Sequence, residues 1–388
     1  MQPPAVAATR SPRLLYIVNV AWFFASHRLE LARAARAAGY DVHLACRAID
    51  AAAVQIIEAA GCVVHDVDLA RGVGGPLGEW RAIRELRRIM REVRPDIVHC
   101  VTIKPVLYGS ILARLAGVPA RVCALSGLGH VFTATGPLAT LRRRLVQAVY
   151  GFAMGGRNLR VIFQNPDDRD MFVSRGLVRP PDVVIIRGSG VDLQAYRPLA
   201  TGNGLPVVLL PARMLREKGV LEFLAAARLL RERGVQGRFV MAGGVDDGNP
   251  THMKAEEIRA RAAESGVEWL GHVADMAREV GRSDIVCLPS YREGLPKALL
   301  EASACAKPMV TTDVPGCREV VTDGWNGLLV PAQSVEPLAQ ALARLIADPA
   351  LRAAMGARAR ERARQDYSVE SVVARTLDVY AGLLAVAT

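Results

Sequence analysis

Ser290-Tyr291-Arg292-Glu293-Gly294-Leu295-Pro296-Lys297-Ala298-Leu299-Leu300-Glu301-Ala302 is the stretch whose reading decides the fold. Ahead of it runs Asp284-Ile285-Val286-Cys287-Leu288-Pro289, an apolar run of the kind a buried parallel strand shows. Behind it, the apolar spacing from Pro296 to Cys305, with a proline suited to the first helical position, predicts a helix. In a strand–turn–helix of this kind Gly294 lets a ligand approach the main chain, and the free N–H groups at the helix start favour an anion such as a phosphate. Glu293 in the turn and Glu301, about one and a half turns into the helix, flank that position. They stand too far apart to share a proton and are placed to hold two ends of a polyhydroxy ligand.

The same rhythm recurs along the chain. Strand-like runs at 14–20, 40–46, 62–67, 97–101, 121–125, 161–165 and 183–187 alternate with helical patterns, as in a parallel doubly wound sheet. The segment 197–206, with Pro198, Gly202, Gly204 and Pro206, breaks the rhythm and reads as a linker. After it the alternation restarts at 207–211 and continues to 327–330. The expected class is α/β, with a Rossmann-like domain over 1–196, the linker, a second such domain over 207–367, and a last helix over 368–388 packing back toward the first domain.

Composition narrows the function. At 388 residues and 51% hydrophobic, the chain buries a large core and is not disordered. Seven cysteines sit mostly in apolar runs without metal-ligand spacing, which reads as buried thiols in a reducing compartment. The apolar segment 14–25 is too short to span a bilayer and reads as a first strand running into a loop. The net charge of +11 is uneven: 25 basic residues face 15 acidic ones in 1–196, against 24 and 23 in 197–388. A one-domain excess points to an anionic partner: nucleic acid, an anionic membrane or a phosphorylated acceptor. At 5% aromatic, without aromatic–basic interleaving, the chain lacks the pattern of a single-strand nucleic-acid binder.

By spacing alone, two glutamates eight apart fit a solvated helix face; the string around them says more. Glu293-Gly294-Leu295-Pro296, Ala298-Leu299-Leu300-Glu301-Ala302, Ala304-Cys305 and Lys307-Pro308 resemble the C-terminal signature of family 4 glycosyltransferases, retaining enzymes that use nucleotide sugars. The match continues through 311–319 and 323–330. The resemblance implies a GT-B fold, two Rossmann-like domains facing a central cleft. It implies that Glu293 contacts the donor sugar and Glu301 the ribose, with Gly294, Leu295, Pro296 and Leu299 beside them. Arg213 and Lys218 match the family's Arg-x4-Lys-Gly motif, which binds the donor pyrophosphate, and His272-Val273 stand where the family cradles uracil. No Asp-rich metal motif appears at a strand end, so cationic side chains and a helix dipole are expected to offset the leaving charge without metal or cofactor.

In the first half, Asn19-Val20-Ala21-Trp22-Phe23-Phe24-Ala25-Ser26-His27-Arg28 replaces the glycine-rich loop many members carry. With Thr102-Ile103-Lys104-Pro105 and Gly127-Leu128-Gly129-His130, it resembles the branch that extends polyprenyl-pyrophosphate-linked glycans, including the bacillosaminyl-lipid N-acetylgalactosaminyltransferases. Phe24, His27, Lys104 and His130 follow predicted strands. They are expected to meet the acceptor, Lys104 at its phosphate, with His27 and His130 at the reaction centre. Trp80-Arg81, Arg84, Arg87, Arg88, Arg91 and Arg94 along one helix, and Arg142–Arg144 within 138–152, place cations beside apolar residues. They fit an anionic cytoplasmic leaflet and a peripheral enzyme. The expected activity is transfer from a UDP-sugar, of hexose or N-acetylhexosamine, to a lipid-linked glycan. A soluble acceptor and a basic nucleic-acid-binding module are the alternatives.

Overall fold

The computed structural model describes residues 10–69, 75–125, 147–200, 202, 204–247, 249 and 251–387. The chain divides into two compact units. The first runs to Phe163 and takes in Arg169–Ile185 and the chain from Val373 on; the second is Gln164–Asp168 with Ile186–Val372. The change of unit therefore lies ahead of the Pro/Gly-rich segment. The reason is local pairing: Val191 forms a bridge with Ser368, and its main chain bonds Tyr367 and Val369.

Among the described residues the first unit holds a seven-stranded parallel sheet. Its strands are β1 (Arg13–Val20), β2 (Asp41–Arg47), β3 (Val63–Asp66), β4 (Ile97–Val101), β5 (Ala120–Leu125), β6 (Leu159–Phe163) and β7 (Val183–Ile185), in the order β3-β2-β1-β4-β5-β6-β7. Leu14 to Val18 are wholly buried, which explains why β1 reads as an unbroken apolar run rather than an alternating one. The strand does not run into a loop as expected. It passes directly into the helix Ala21–His27, whose Ala21 and Phe24, three apart, face inward.

The second unit repeats the plan with six parallel strands: β8 (Val207–Pro211), β9 (Arg238–Ala242), β10 (Val267–Trp269), β11 (Ile285–Leu288), β12 (Met309–Thr312) and β13 (Gly327–Val330), ordered β10-β9-β8-β11-β12-β13. One face packs Phe223, Leu230, Leu338 and Leu342 of flanking helices, the other Leu299, Leu300, Ala363 and Tyr367. In each unit the strand order reverses at one pair, β1 with β4 and β8 with β11. Beyond the carboxyl ends of such a pair, the two flanking helices lie on opposite faces and leave a crevice where α/β sheets bind ligands.

All seven cysteines are buried free thiols. Among the described residues no helix is long and apolar enough to cross a membrane.

Candidate active site

The second unit's reversal point gathers most of the expected donor residues. From β8 the chain passes through the turn Arg216–Lys218 into the helix Val220–Glu232; from β11 it passes through 289–296 into the helix Lys297–Ala304. Because β8 and β11 are hydrogen-bonded neighbours, these two loops emerge side by side. Gly219 makes their contact possible: its φ is +73°, and a Cβ there would lie 2.1 Å from the Pro289 carbonyl oxygen. The close approach sets Lys218 on the second loop. Its Nζ donates to Glu293 Oε1 at 2.5 Å, and Ser290 Oγ donates to the same oxygen at 2.7 Å. Both side chains are largely withdrawn from water, 20% and 11% exposed, so removing either one strands the other's charge.

The turn is braced from its far side as well. Gly316, at φ +81°, lies so close that a Cβ would stand 2.4 Å from the Gly294 carbonyl oxygen. Asn165 Nδ2 donates to that oxygen at 2.8 Å and to Asp168 Oδ2 at 3.0 Å, while Arg292 Nη2 donates to Asp168 Oδ1 at 3.2 Å. The Thr312 hydroxyl donates to the Ser290 carbonyl. Gly294 is thus buried against protein. Pro296 stands at the N-cap, one position earlier than expected, and no side chain caps that helix start.

The remaining donor residues sort by exposure. Arg213, on the loop after β8, donates from Nη1 to Asp246 on the loop after β9. His272 follows β10 and is exposed, with Val273 partly buried against the core. Gly243 N donates to Gly271 O at 2.8 Å, joining the loops after β9 and β10. Leu299 is wholly buried and Leu295 is 8% exposed; both belong to the core beneath the helix. Their expected ligand contact is corrected accordingly: their period places them on the inward face. Glu301 is 7% exposed, with Lys297 Nζ at 3.7 Å from Oε1. Burial raises its pKa above the ordinary carboxylate range, against the pull of Lys297.

The first unit tells a different story for the acceptor residues. Phe24 is wholly buried, its ring edge-on to Tyr16 at 5.1 Å, so it is a core residue and not a binding wall. His27 is half-buried at the end of its helix, stacked on Phe23 at 4.3 Å with Nδ1 3.2 Å from the Phe23 carbonyl oxygen. Lys104 is paired as Lys218 is: its Nζ bonds Glu79 Oε1 at 2.8 Å. His130 and the arginines 142–144 lie outside the described residues.

Sequence reading missed Asn165, Asp168, Ser290 and Arg292. The Asn165-Pro166 pair announces a helix start, and Asn165 Oδ1 does accept from Asp168 N at 2.8 Å. Nothing local announces its reach to Gly294, 129 residues away. Among the described residues no group of three His, Cys, Asp or Glu side chains is placed to hold a metal ion.

Residues 13–165 match the model of the glycosyl transferase 4-like domain, and residues 197–362 that of glycosyl transferases group 1. Over 308 residues the chain is 28% identical to the N,N'-diacetylbacillosaminyl-diphospho-undecaprenol alpha-1,3-N-acetylgalactosaminyltransferase of Campylobacter jejuni, covering 76% of this chain and 79% of that one. It is 24% identical over 318 residues to the UDP-Gal:alpha-D-GlcNAc-diphosphoundecaprenol alpha-1,3-galactosyltransferase of Escherichia coli, covering 78% and 79%. Among solved structures, a sucrose-phosphate synthase of Thermosynechococcus elongatus superposes with a TM-score of 0.77 at 20% identity over 97% of this chain and 100% of that one. The Anabaena HepE protein in complex with UDP and glucose gives 0.76 at 18% identity, over 96% and 100%. The fold is that of the GT-B enzymes. With both of its halves matched, the chain belongs to the group 1 glycosyltransferases, carrying a glycosyl transferase 4-like domain ahead of the group 1 domain.

Proposed function

We propose that this glycosyltransferase moves a hexose or N-acetylhexosamine from a UDP-sugar to a polyprenyl-diphosphate-linked glycan, with retention at the anomeric carbon and without a metal ion or other cofactor. The observation that carries this reading is Lys218 held on Glu293 where the loops after β8 and β11 meet, beside a helix start that no side chain caps. Such a place supplies a fixed cation and main-chain N–H groups for a diphosphate. The two relatives named for diphospho-undecaprenol-linked substrates support the acceptor class, and one of them is named for a UDP donor.

In this reading the bond between the anomeric carbon and the diphosphate oxygen breaks first. Lys218, Arg213 and the helix start receive the growing negative charge, Glu293 orients the sugar and Glu301 the ribose. The acceptor hydroxyl adds on the face the diphosphate leaves, and its proton passes to a leaving phosphate oxygen. His27, Lys104 and His130 are the acceptor-side candidates. Lys104 reaches a phosphate only by giving up Glu79.

The enzyme works at the cytoplasmic face of a membrane as a peripheral protein. Leu77, Trp80 and Ile83 are 73%, 58% and 36% exposed on the helix Pro76–Val93, which also carries Arg81, Arg84, Arg87, Arg88 and Arg91.

The test is a transfer assay with UDP-, GDP- and ADP-sugars and a polyprenyl-diphosphate-linked acceptor, run with and without EDTA, the product anomer read by NMR. Transfer from a UDP-sugar that persists in EDTA and keeps the donor's anomeric configuration is the expected result. Strict preference for another nucleotide, loss in EDTA, or an inverted product removes the corresponding part. Sedimentation with anionic vesicles checks the membrane part: wild type co-sediments, and a Trp80→Ser/Arg84→Ser variant binds at least about fivefold more weakly.

A further inference from the structure

Ser290 places a hydroxyl where water does not reach. The residue follows the end of β11 by two positions and is wholly buried, and its Oγ donates to Glu293 Oε1 at 2.7 Å. A hydroxyl buried without a partner costs stability, so this one is committed to the carboxylate. Lys218 Nζ donates to the same oxygen at 2.5 Å. Two donors therefore share Oε1, while among the described residues none bonds Oε2.

The two donors differ in how firmly they are held. The Lys218 ammonium ends a long, flexible stem. The Ser290 hydroxyl hangs directly from Cβ, on main chain that is fastened from both flanks. On one flank the Ser290 carbonyl accepts from the hydroxyl of Thr312, itself buried at the end of β12. On the other, Tyr291 N donates at 2.9 Å to the carbonyl of Glu217, the residue before Lys218, and the Tyr291 hydroxyl donates at 2.8 Å to Glu222 Oε1 on the helix Val220–Glu232. Ser290 is thus the fixed reference for the carboxylate, and Lys218 its mobile counter-charge.

We infer that Ser290 is a positioning residue for the donor sugar: its hydroxyl sets the turn of the Glu293 carboxylate, so that Oε1 stays with the two donors and Oε2 is presented to a sugar hydroxyl. The inference rests on the reading of Glu293 as the carboxylate that orients the sugar. Without the Ser290 hydroxyl the carboxylate follows Lys218 alone, and either oxygen can face the sugar. Recognition of the nucleotide does not pass through Glu293 and is left as it was.

The test is Ser290→Ala, which removes one oxygen and leaves Lys218 in place. UDP, UDP-galactose and UDP-N-acetylgalactosamine are titrated calorimetrically into wild type, Ser290→Ala, Glu293→Ala and the double variant. The sugar's share of binding is read as the ratio of Kd for UDP to Kd for the better bound of the two UDP-sugars. In Ser290→Ala that ratio falls about tenfold, as for one hydrogen bond to a charged group, while Kd for UDP stays within about twofold. In transfer assays kcat/KM for the donor falls by at least the same factor. Glu293→Ala lowers the ratio at least as far, and the double variant lowers it no further, because the serine acts through the carboxylate.

A wild-type ratio in Ser290→Ala, with the ratio lost in Glu293→Ala, overturns the inference and leaves the reading of Glu293 standing. An undiminished ratio in Glu293→Ala overturns that reading, and the inference with it. Equal weakening of UDP and UDP-sugar in Ser290→Ala, alongside a lower melting temperature, marks the serine as merely structural and overturns the inference as well.

Discussion

In the second unit the loops after β8 and β11 are joined by a charge pair, Lys218 on Glu293. In the first unit the corresponding loops after β1 and β4 are joined by a neutral bond, Thr102 Oγ1 to Asn19 Oδ1 at 2.9 Å. The two sheets share one strand order up to their sixth strands, so topology brings both pairs of loops together in the same way. The means of approach differ. The second unit uses Gly219 and Gly316, which take positive φ without a Cβ to collide. The first places β-branched Thr102 at φ 75°, ψ 167°, a region that essentially only glycine occupies. A shared fold sets where a site forms, and loop chemistry sets what it holds: a fixed cation suits a diphosphate, a neutral pair suits hydroxyl groups.

Lys218→Ala has the largest expected effect on the comparison. Turnover with a UDP-sugar falls about 10²–10³-fold, whereas Asn19→Ala costs less than about tenfold; equal losses in steady-state kinetics would erase the distinction between charged and neutral junctions. Gly316→Ala comes next. Positive φ and the clash with the Gly294 carbonyl destabilise the protein by about 2–4 kcal/mol, read from a denaturant midpoint, and a shift below about 0.5 kcal/mol would show that the brace is slack. The smallest effect sharpens the first unit. Thr102→Ala keeps the strain and loses the bond to Asn19. Thr102→Gly sheds strain of about 1–3 kcal/mol against a glycine entropy cost of about 0.5–1 kcal/mol. The glycine variant should therefore be the more stable of the two by about 1 kcal/mol, and the reverse order in thermal melts would deny strain at Thr102.

The limits of sequence reading follow the same line. The strand at Ile285–Leu288 and the helix after it were legible because both periods are local, and Lys218 and Glu293 stood out within short motifs. Phe24 was misread because it lies between aromatic neighbours that a sequence cannot sort by face. Its place three residues after Ala21, on the helix side turned to Tyr16, is a matter of which way the helix is rolled. Lys104 was expected at an acceptor phosphate, and its pairing with Glu79 was not foreseen because Glu79 sits 25 residues earlier on another helix.

Sequence by itself determined the alternation of strand and helix, the two sheets and the residue types at each strand end, since these depend on periodicity and on residues a few positions apart. Tertiary structure alone decided which cation meets which carboxylate. Lys218 and Glu293 are 75 residues apart, and Lys104 and Glu79 are 25 residues apart on different helices. The first meeting depends on β8 lying against β11, and such long-range juxtaposition leaves no local pattern to read.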